Sequence, residues 1–117
     1  MKYFTYDEFD SPDQTGSGHE MEPIFLEKLD LARELSGVPY VINSGYRTEY
    51  WNQKVGGRVG SSHLTGWAAD IRADSSNRRF FVLKGLIEAG FDRIGVGTNF
   101  IHVDCDPSKA GNVTWLY

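Results

Sequence analysis

The chain has 117 residues, of which 40% are hydrophobic and 14% aromatic, and its formal net charge is -4 at pH 7. That length suits one domain and is too short for two, while the acidic balance disfavours a general nucleic-acid binder, which usually has a basic face. Because no apolar run approaches the roughly 20 residues that span a bilayer and the N-terminus lacks the apolar region of a secretory signal, we expect one domain over residues 1–117, made in the cytoplasm, without nucleic-acid binding or membrane insertion.

The first third of the chain predicts an arm followed by a helix. Residues 1–20 are polar and rich in turn-forming residues, which is typical of an irregular arm, and its aromatic residues would hold it to the core: Tyr3, Phe4 and Phe9. A helix is expected to begin near Pro23 and to end at Gly37. Its apolar face would contain the residues that recur at helical spacing: Ile24, Phe25, Leu29, Ala32 and Leu35.

The middle of the chain predicts a short strand, a turn, a short helix and a loop. Residues 38–43 favour the strand, and Ser44-Gly45-Tyr46-Arg47 would be its exit turn. Thr48 can cap a helix that runs to about Val55. The glycine-rich residues 56–60 are too few, and lack the Lys-Ser/Thr ending, for a phosphate-binding loop.

In the second half of the chain, the predicted strands and helices alternate less regularly than those of a βαβ protein. Residues 67–71 predict a buried strand, and Asp74, Ser75 or Ser76 would cap a helix with Phe80, Leu83 and Ile87 on its apolar face and Gly90 as its stop. Three short strands are expected at 93–96, 100–104 and 113–116. This order indicates an α+β fold, a single small domain with a mainly antiparallel sheet flanked by helices.

The strand at 100–104 places a histidine and a carboxylate on one face. Because side chains alternate along a strand, Ile101 and Val103 would face the core, and His102 and Asp104 would point together to the other side. Such a pair suits a metal ligand with an adjacent base or anchor. The alternative is an ordinary polar edge that faces solvent.

A second histidine and a second carboxylate lie upstream. Asp70 interrupts an otherwise apolar strand, which is costly unless a cation, an ion pair or a cap compensates the carboxylate. With His63 and His102 it would offer zinc three corners of a tetrahedron. The fourth corner could hold a water acidic enough to attack at neutral pH.

The order of these motifs resembles a known family. They are Ser44-Gly45-Tyr46-Arg47, then Ser61-x-His63-x-x-Gly66-x-Ala68-x-Asp70, then Phe100-Ile101-His102-Val103-Asp104. The set resembles the D-alanyl-D-alanine carboxypeptidase family of zinc peptidases, which includes D-Ala-D-Ala carboxypeptidases and dipeptidases and phage L-alanyl-D-glutamate endolysins. The resemblance runs from about residue 3 to the C-terminus and is closest to short phage and prophage members. It implies a small α+β domain with a central antiparallel sheet, shared with the hedgehog signalling domain.

The resemblance also implies a site. One Zn2+ per chain would be held by His63, Asp70 and His102, and Arg47 would bind the substrate, since guanidinium can grip a carboxylate or a developing oxyanion. The alternative for Arg47 is a structural salt bridge. Ser62 could donate a hydrogen bond to substrate. The partner would be the peptide stem of peptidoglycan, and we expect a monomer that reaches the wall on lysis or in a phage particle.

One position departs from the family pattern. Many members have a catalytic Glu or Asp three residues before the last zinc histidine, and here that position is Asn99. Asp104 is the nearest replacement as a catalytic general base, and the alternative is that it orients His102. Asp92 and Asp106 are weaker candidates for the base.

The remaining polar and aromatic residues receive lesser roles. His19 is not expected to be a ligand, and the single Cys105, which cannot form an intrachain disulfide, would pack as a small hydrophobe. Of Trp51, Trp67 and Trp115, at least two are expected in the core, although all could line a groove.

The leading hypothesis is a zinc metallopeptidase of the bacterial cell wall, either a carboxypeptidase or an endolysin-like endopeptidase. Two alternatives remain. One is a non-catalytic zinc-binding structural or binding module of a phage or prophage with the same fold, which Asn99 favours. The other is a metal-free domain with an ordinary polar cluster.

Overall fold

The computed structural model describes all 117 residues and confirms the α+β class. Three short 3₁₀ turns lie at Tyr6–Phe9, Ser17–Glu20 and Ser62–Thr65. The α-helices and strands follow one another as α1 Pro23–Ser36, β1 Ile42–Ser44, α2 Glu49–Lys54, β2 Ala68–Arg72, α3 Ser76–Glu88, β3 Arg93–Val96, β4 Phe100–Asp104 and β5 Val113–Leu116. No helix has both the length and the apolar character that crossing a membrane requires.

The five strands form one sheet in the order β1-β2-β4-β3-β5. All neighbouring pairs are antiparallel except β3 and β5, which run parallel. The expected alternation holds on the central strands, where Ile101 and Val103 are fully buried in the core and His102 lies on the opposite face. The sheet therefore has an apolar face covered by helices and a polar face that carries the site.

Helices α1 and α3 cover the apolar face and pack against each other. Gly85 lies where they meet, and a Cβ there would collide with the Ala32 carbonyl oxygen and the Tyr40 hydroxyl. That hydroxyl is buried and donates to the Val82 carbonyl oxygen over 2.8 Å. The tyrosine thereby satisfies its polar atom between the two helices.

The apolar faces of both long helices differ in part from those predicted. The predicted Phe25, Leu29 and Ala32 are buried on α1 together with Leu26, and the predicted Leu83 packs partly against the core on α3. The predicted Ile24, Leu35, Phe80 and Ile87 are exposed, and the buried positions of α3 are Val82, Gly85 and Leu86. Both helices carry apolar residues on more than one stripe. Periodicity alone therefore does not identify which stripe contacts the sheet.

The first strand also differs, because it begins at Ile42 rather than at residue 38. Pro39 has no backbone N–H to contribute to a ladder, which accounts for the later start. The predicted cap of α2 is confirmed, since the Thr48 hydroxyl accepts from the Trp51 N–H over 3.1 Å. Ser75 is the cap of α3.

The N-terminal arm is held to the core and in turn supports the site. Phe4 and Phe9 are buried and meet edge to face at 5.4 Å. The Phe9 carbonyl oxygen accepts from the Tyr46 N–H over 2.9 Å. A Cβ at Gly45 would lie 2.7 Å from the Phe9 Cα, so glycine in the Ser44–Arg47 turn permits this close approach.

We expect Gly85→Ala to destabilise the protein, although alanine is the better helix former by about 1 kcal/mol. The new methyl group would push against backbone of α1, and such overpacking costs about 1–3 kcal/mol. Urea denaturation would measure the free energy of unfolding. Asn77→Ala, an exposed change on the same helix, should alter it by less than about 0.5 kcal/mol. Equal stabilities for the Gly85→Ala and parent proteins would contradict the tight helix contact.

Candidate metal centre and cavity

Five residues from five strands form a row across the polar face of the sheet. The register pairs Ser44 with Asp70, Asp70 with His102, His102 with Gly95 and Gly95 with Trp115. A Cβ at Gly95 would lie 2.5 Å from the Trp115 Nε1 atom. The indole therefore leans over the glycine and approaches the His102 ring, with 5.6 Å between the ring centroids.

His63 reaches this row from the 3₁₀ turn Ser62–Thr65. Its Nδ1 atom is 2.7 Å from the Gly45 carbonyl oxygen. A carbonyl oxygen can only accept, so Nδ1 carries the proton and the Nε2 lone pair is free. Nε2 lies 3.3 Å from Asp70 Oδ1, and the side chain is 3% exposed.

His102 is held in the complementary way. Its Nε2 atom is 2.8 Å from Asp104 Oδ2, and its Nδ1 atom is 3.0 Å from Asp70 Oδ1. With Asp104 accepting a hydrogen bond from the Nε2–H group, the Nδ1 atom can offer a lone pair toward Asp70 and His63 once Nδ1 is deprotonated. Each imidazole therefore has an anchor on one nitrogen and a potential ligand atom on the other.

The donor set fits a zinc ion. One ligand atom each from His63, Asp70 and His102 lie within 4.8 Å of one another. Two imidazole nitrogens and one carboxylate oxygen match the three protein ligands of a catalytic zinc site. The structure thus brings together the three residues that the sequence predicted as ligands.

Asp104 lies behind His102, beyond the ring edge that carries Nε2. It is 1% exposed. Its Oδ1 atom accepts from Arg93 Nε over 2.6 Å and from the Asp106 N–H over 3.2 Å. Both carboxylate oxygens are therefore engaged, which favours the orienting role for Asp104 over the role of a base.

The pKa values of the site are coupled through these contacts. Burial raises the pKa of Asp70, but hydrogen bonds with His102 and His63 outweigh burial and hold the pKa well below its usual range. Burial lowers the pKa of His102, yet its hydrogen bonds to Asp104 and Asp70 leave that pKa above 6.5. Burial raises the pKa of Asp104, and its bonds to His102 and Arg93 bring it below the ordinary value. Both carboxylates are thus ionised at neutral pH and attract a cation.

Arg47 borders the ligands in a fixed position. Its guanidinium donates to Ser44 Oγ over 2.9 Å, to Asn52 Oδ1 over 3.2 Å and to Asp70 Oδ2 over 3.2 Å. The alternative role predicted for Arg47 was a structural salt bridge, and its guanidinium does form an ion pair with Asp70. The side chain also lines the cavity above the ligands, where it can contact a substrate.

The cavity has a volume of about 830 Å³, and the three ligand residues lie in its lining. The lining also includes three aromatic residues, Phe100, Trp115 and Tyr117, and the glycine-rich residues 56–60. Ser62 lines the cavity too, but its hydroxyl donates to Asp106 Oδ2 and accepts from Lys109 Nζ, both over 2.7 Å. Its contact with a substrate stays a prediction.

Several candidates lie away from the ligands. Asn99 is exposed in the turn before β4 and is not in the cavity lining. Asp92 accepts from the Asn112 N–H, and Asp106 is bound to Ser62 and Ser108. His19 stacks on Tyr6 with 4.2 Å between ring centroids. None of these side chains is placed to ligate a metal with His63.

The prediction for the tryptophans is wrong, whereas the prediction for Cys105 agrees with the structure. Trp67 packs against the core, Trp51 is half-buried beside Lys54, and Trp115 lines the cavity, so the expectation of two core tryptophans is wrong. Cys105 packs partly against the core, and burial raises the pKa of its thiol to about 11, which disfavours a reactive thiolate.

Sequence reasoning missed Arg93, Asn52 and Tyr117. Arg93 holds Asp104 and lies over the Trp115 ring at 5.3 Å, and Asn52 is 3% exposed and holds Arg47. The period-two alternation of β3 could have indicated that Arg93 and Gly95 share a face. Nothing in the sequence indicated which strand would lie next to β4.

Comparison with known proteins gives one result. A family model described as Peptidase M15 matches residues 2–104. The match covers the arm, the Ser44–Arg47 turn, all three candidate ligands and Asp104, and it leaves β5 outside. No curated protein matches the chain.

The raised pKa of His102 predicts that zinc binding depends on pH. The metal must displace a proton from this imidazole, so apparent zinc affinity should fall about tenfold per pH unit below the His102 pKa and level off above it. Competition against a chromophoric chelator between about pH 5 and 8 would measure this dependence. An affinity that stays constant over that range would contradict the ligand role of His102.

Proposed function

The chain belongs to peptidase family M15, a zinc-dependent family similar to D-Ala-D-Ala carboxypeptidases, and on that premise we propose that it hydrolyses the peptide part of bacterial peptidoglycan. The observation that carries the proposal is the set of three donor atoms within 4.8 Å in the lining of a cavity. Both histidines of the set have their other nitrogen anchored. The ligand atoms are therefore oriented before any metal or substrate arrives.

His63, Asp70 and His102 would hold the zinc ion in this function. When bound, zinc supplies a Lewis acid for the scissile carbonyl and an acidic water as nucleophile. The Gly45 carbonyl oxygen and Asp104 keep the two imidazole rings in place. The buried setting strengthens the charge interactions that the reaction develops.

Arg47 would orient the substrate. Its side chain lies beside Asp70 and lines the cavity, and it can donate paired hydrogen bonds to a carboxylate or to a carbonyl oxygen that becomes negative. In a carboxypeptidase the partner would be the terminal carboxylate of the stem. In an endopeptidase it would be a carbonyl oxygen or an internal carboxylate, so both kinds of cleavage fit this residue.

Asp104 acts in our proposal as the residue that positions His102. Its two oxygens are engaged by His102 and Arg93. The role of general base, predicted from the sequence, would require one of these contacts to open during the reaction. Asp104 and Asp70 are the two carboxylates in the cavity lining.

A second candidate function is a zinc-binding module without catalysis, and Asn99 favours it. The amide stands where many relatives have an acid, and it is exposed outside the cavity lining. Such a module would keep the metal and the fold but would not turn over peptides. The two candidates differ in a measurable way.

The zinc-loaded protein should cleave purified muropeptides, and the products would identify the bond. Release of D-alanine would indicate a carboxypeptidase, and internal fragments would indicate an endopeptidase. His63→Ala should lose zinc and activity, while His19→Ala, which changes a histidine remote from the ligands, should keep both. Mass spectrometry of the products would measure cleavage. Stoichiometric zinc without cleavage of any wall fraction would favour the non-catalytic module.

Asp104→Asn separates the two roles of this residue. His102 and Arg93 donate to different oxygens of Asp104, and in the amide one of these oxygens becomes an NH2 group that cannot accept. A positioning role therefore predicts zinc binding weakened about 10–100-fold. Activity should then recover as zinc approaches saturation. A general base predicts unchanged zinc affinity and activity that stays low at every zinc concentration. Zinc titration followed by peptide hydrolysis would distinguish these outcomes.

A further inference from the structure

The cavity concentrates positive charge in an acidic protein. The whole chain has a formal net charge of -4. In contrast, the cavity is lined by two acidic residues, Asp70 and Asp104, and by four basic residues, Arg47, Arg58, Arg93 and Lys109. A bound divalent cation would add to this excess. The lining thus favours an anionic ligand over a neutral one.

Arg58 is the basic residue of the lining that has no ion-pair partner. Arg47 pairs with Asp70, and Arg93 pairs with Asp104. Lys109 lies 3.9 Å from Asp106. The Arg58 guanidinium makes none of the ion pairs or side-chain hydrogen bonds of the structure, so all its donors are free for a ligand.

The loop that carries Arg58 is held at two points. The buried Asn52 donates from Nδ2 to the Arg58 carbonyl oxygen over 2.9 Å, while its Oδ1 atom accepts from Arg47 over 3.2 Å. One amide side chain thereby connects the backbone of Arg58 to the guanidinium of Arg47. At the other end of the loop, Lys109 Nζ donates to the Gly60 carbonyl oxygen over 3.0 Å.

These contacts hold the loop of residues 56–60 in place within the cavity lining, which also contains the three candidate metal ligands. The Lys109 ammonium also donates to Ser62 Oγ, which lies one residue before the ligand His63. Lys109 is outside the residues matched by the family model, whereas Arg58 is inside them. The match to the family therefore covers only one of these two basic residues.

We propose that Arg58 binds a second carboxylate of the substrate, distinct from the group that Arg47 contacts, and that Lys109 fixes the loop and adds to the positive potential. The inference rests on the proposed function and specifies its substrate class. The substrate is an acidic peptide with a free carboxylate on a residue next to the scissile bond. A γ-linked glutamate with a free α-carboxylate has this chemistry, and guanidinium can bind it through two parallel hydrogen bonds.

Two synthetic stem peptides test the proposal. They are identical except that the α-position of the γ-linked glutamate is a carboxylate in one and a carboxamide in the other. Calorimetry with the zinc-loaded protein would give Kd for each peptide, and hydrolysis would give KM and kcat. We expect the carboxylate peptide to bind about three- to tenfold more tightly, with the difference in KM rather than in kcat.

The variants assign this preference to Arg58. Arg58→Gln should abolish the difference between the peptides, and Arg58→Lys should keep part of it. Lys54→Gln removes the same charge from the neighbouring helix α2, outside the cavity lining, and should keep the full difference. Thermal melts would check that each variant is folded, which is expected because the Arg58 side chain makes no hydrogen bond.

The outcomes separate this inference from the proposed function. Equal Kd values for the two peptides, or a preference that persists in Arg58→Gln, would overturn the inference while cleavage still supports the function. A preference that depends on Arg58, in a protein that cleaves neither peptide, would support the anion site and count against the peptidase activity. Failure to bind either peptide would overturn the inference.

Discussion

The register of β2 against β4 is the constraint on which the site depends. It sets Asp70 directly opposite His102, and the core residues of both strands then fall on the other face. A shift of one residue would turn every side chain of one strand to the opposite face. The two ligands would then be separated by the sheet, and apolar residues would face the cavity. The packing that buries Ile71, Ile101 and Val103 therefore also maintains the candidate metal site.

A second group of contacts orients the imidazole rings of the two candidate histidine ligands. The arm holds Phe9 against Gly45, and the Gly45 carbonyl oxygen fixes the proton of His63 on Nδ1. On the other side, Arg93 holds Asp104, and Asp104 fixes the proton of His102 on Nε2. Segments distant in sequence thus determine which nitrogen of each imidazole can ligate. A ligand set defined only by its three side chains would omit the groups that orient it.

The sequence predicted best those features that depend on residues close together in the chain. The bounds of β3, β4 and β5, the cap at Thr48 and the two faces of β4 follow from alternation, turn residues and capping chemistry. The ligand set followed from residue chemistry and from the order of motifs. The exposed Phe80 and Ile87 show the limit of periodicity, because a helix with several apolar stripes buries the one that its partner covers. The roles of Arg93 and Trp115 depend on β3 lying between β4 and β5, which is a long-range property.

The balance of charge explains how this polar cluster is stable inside a small fold. A buried carboxylate is costly without compensation, and the two carboxylates of the cavity lining each have a guanidinium partner, Asp70 with Arg47 and Asp104 with Arg93. Of the buried side-chain nitrogen and oxygen atoms, Arg79 Nε alone lacks a hydrogen-bond partner, and it lies away from the ligands. The ligand cluster is therefore satisfied by protein groups before a metal binds. Binding of a metal at this site would exchange a proton of His102 for a cation. Arg58 has no such compensation, and a basic group left unpaired beside a satisfied cluster is available to recognise an incoming anion.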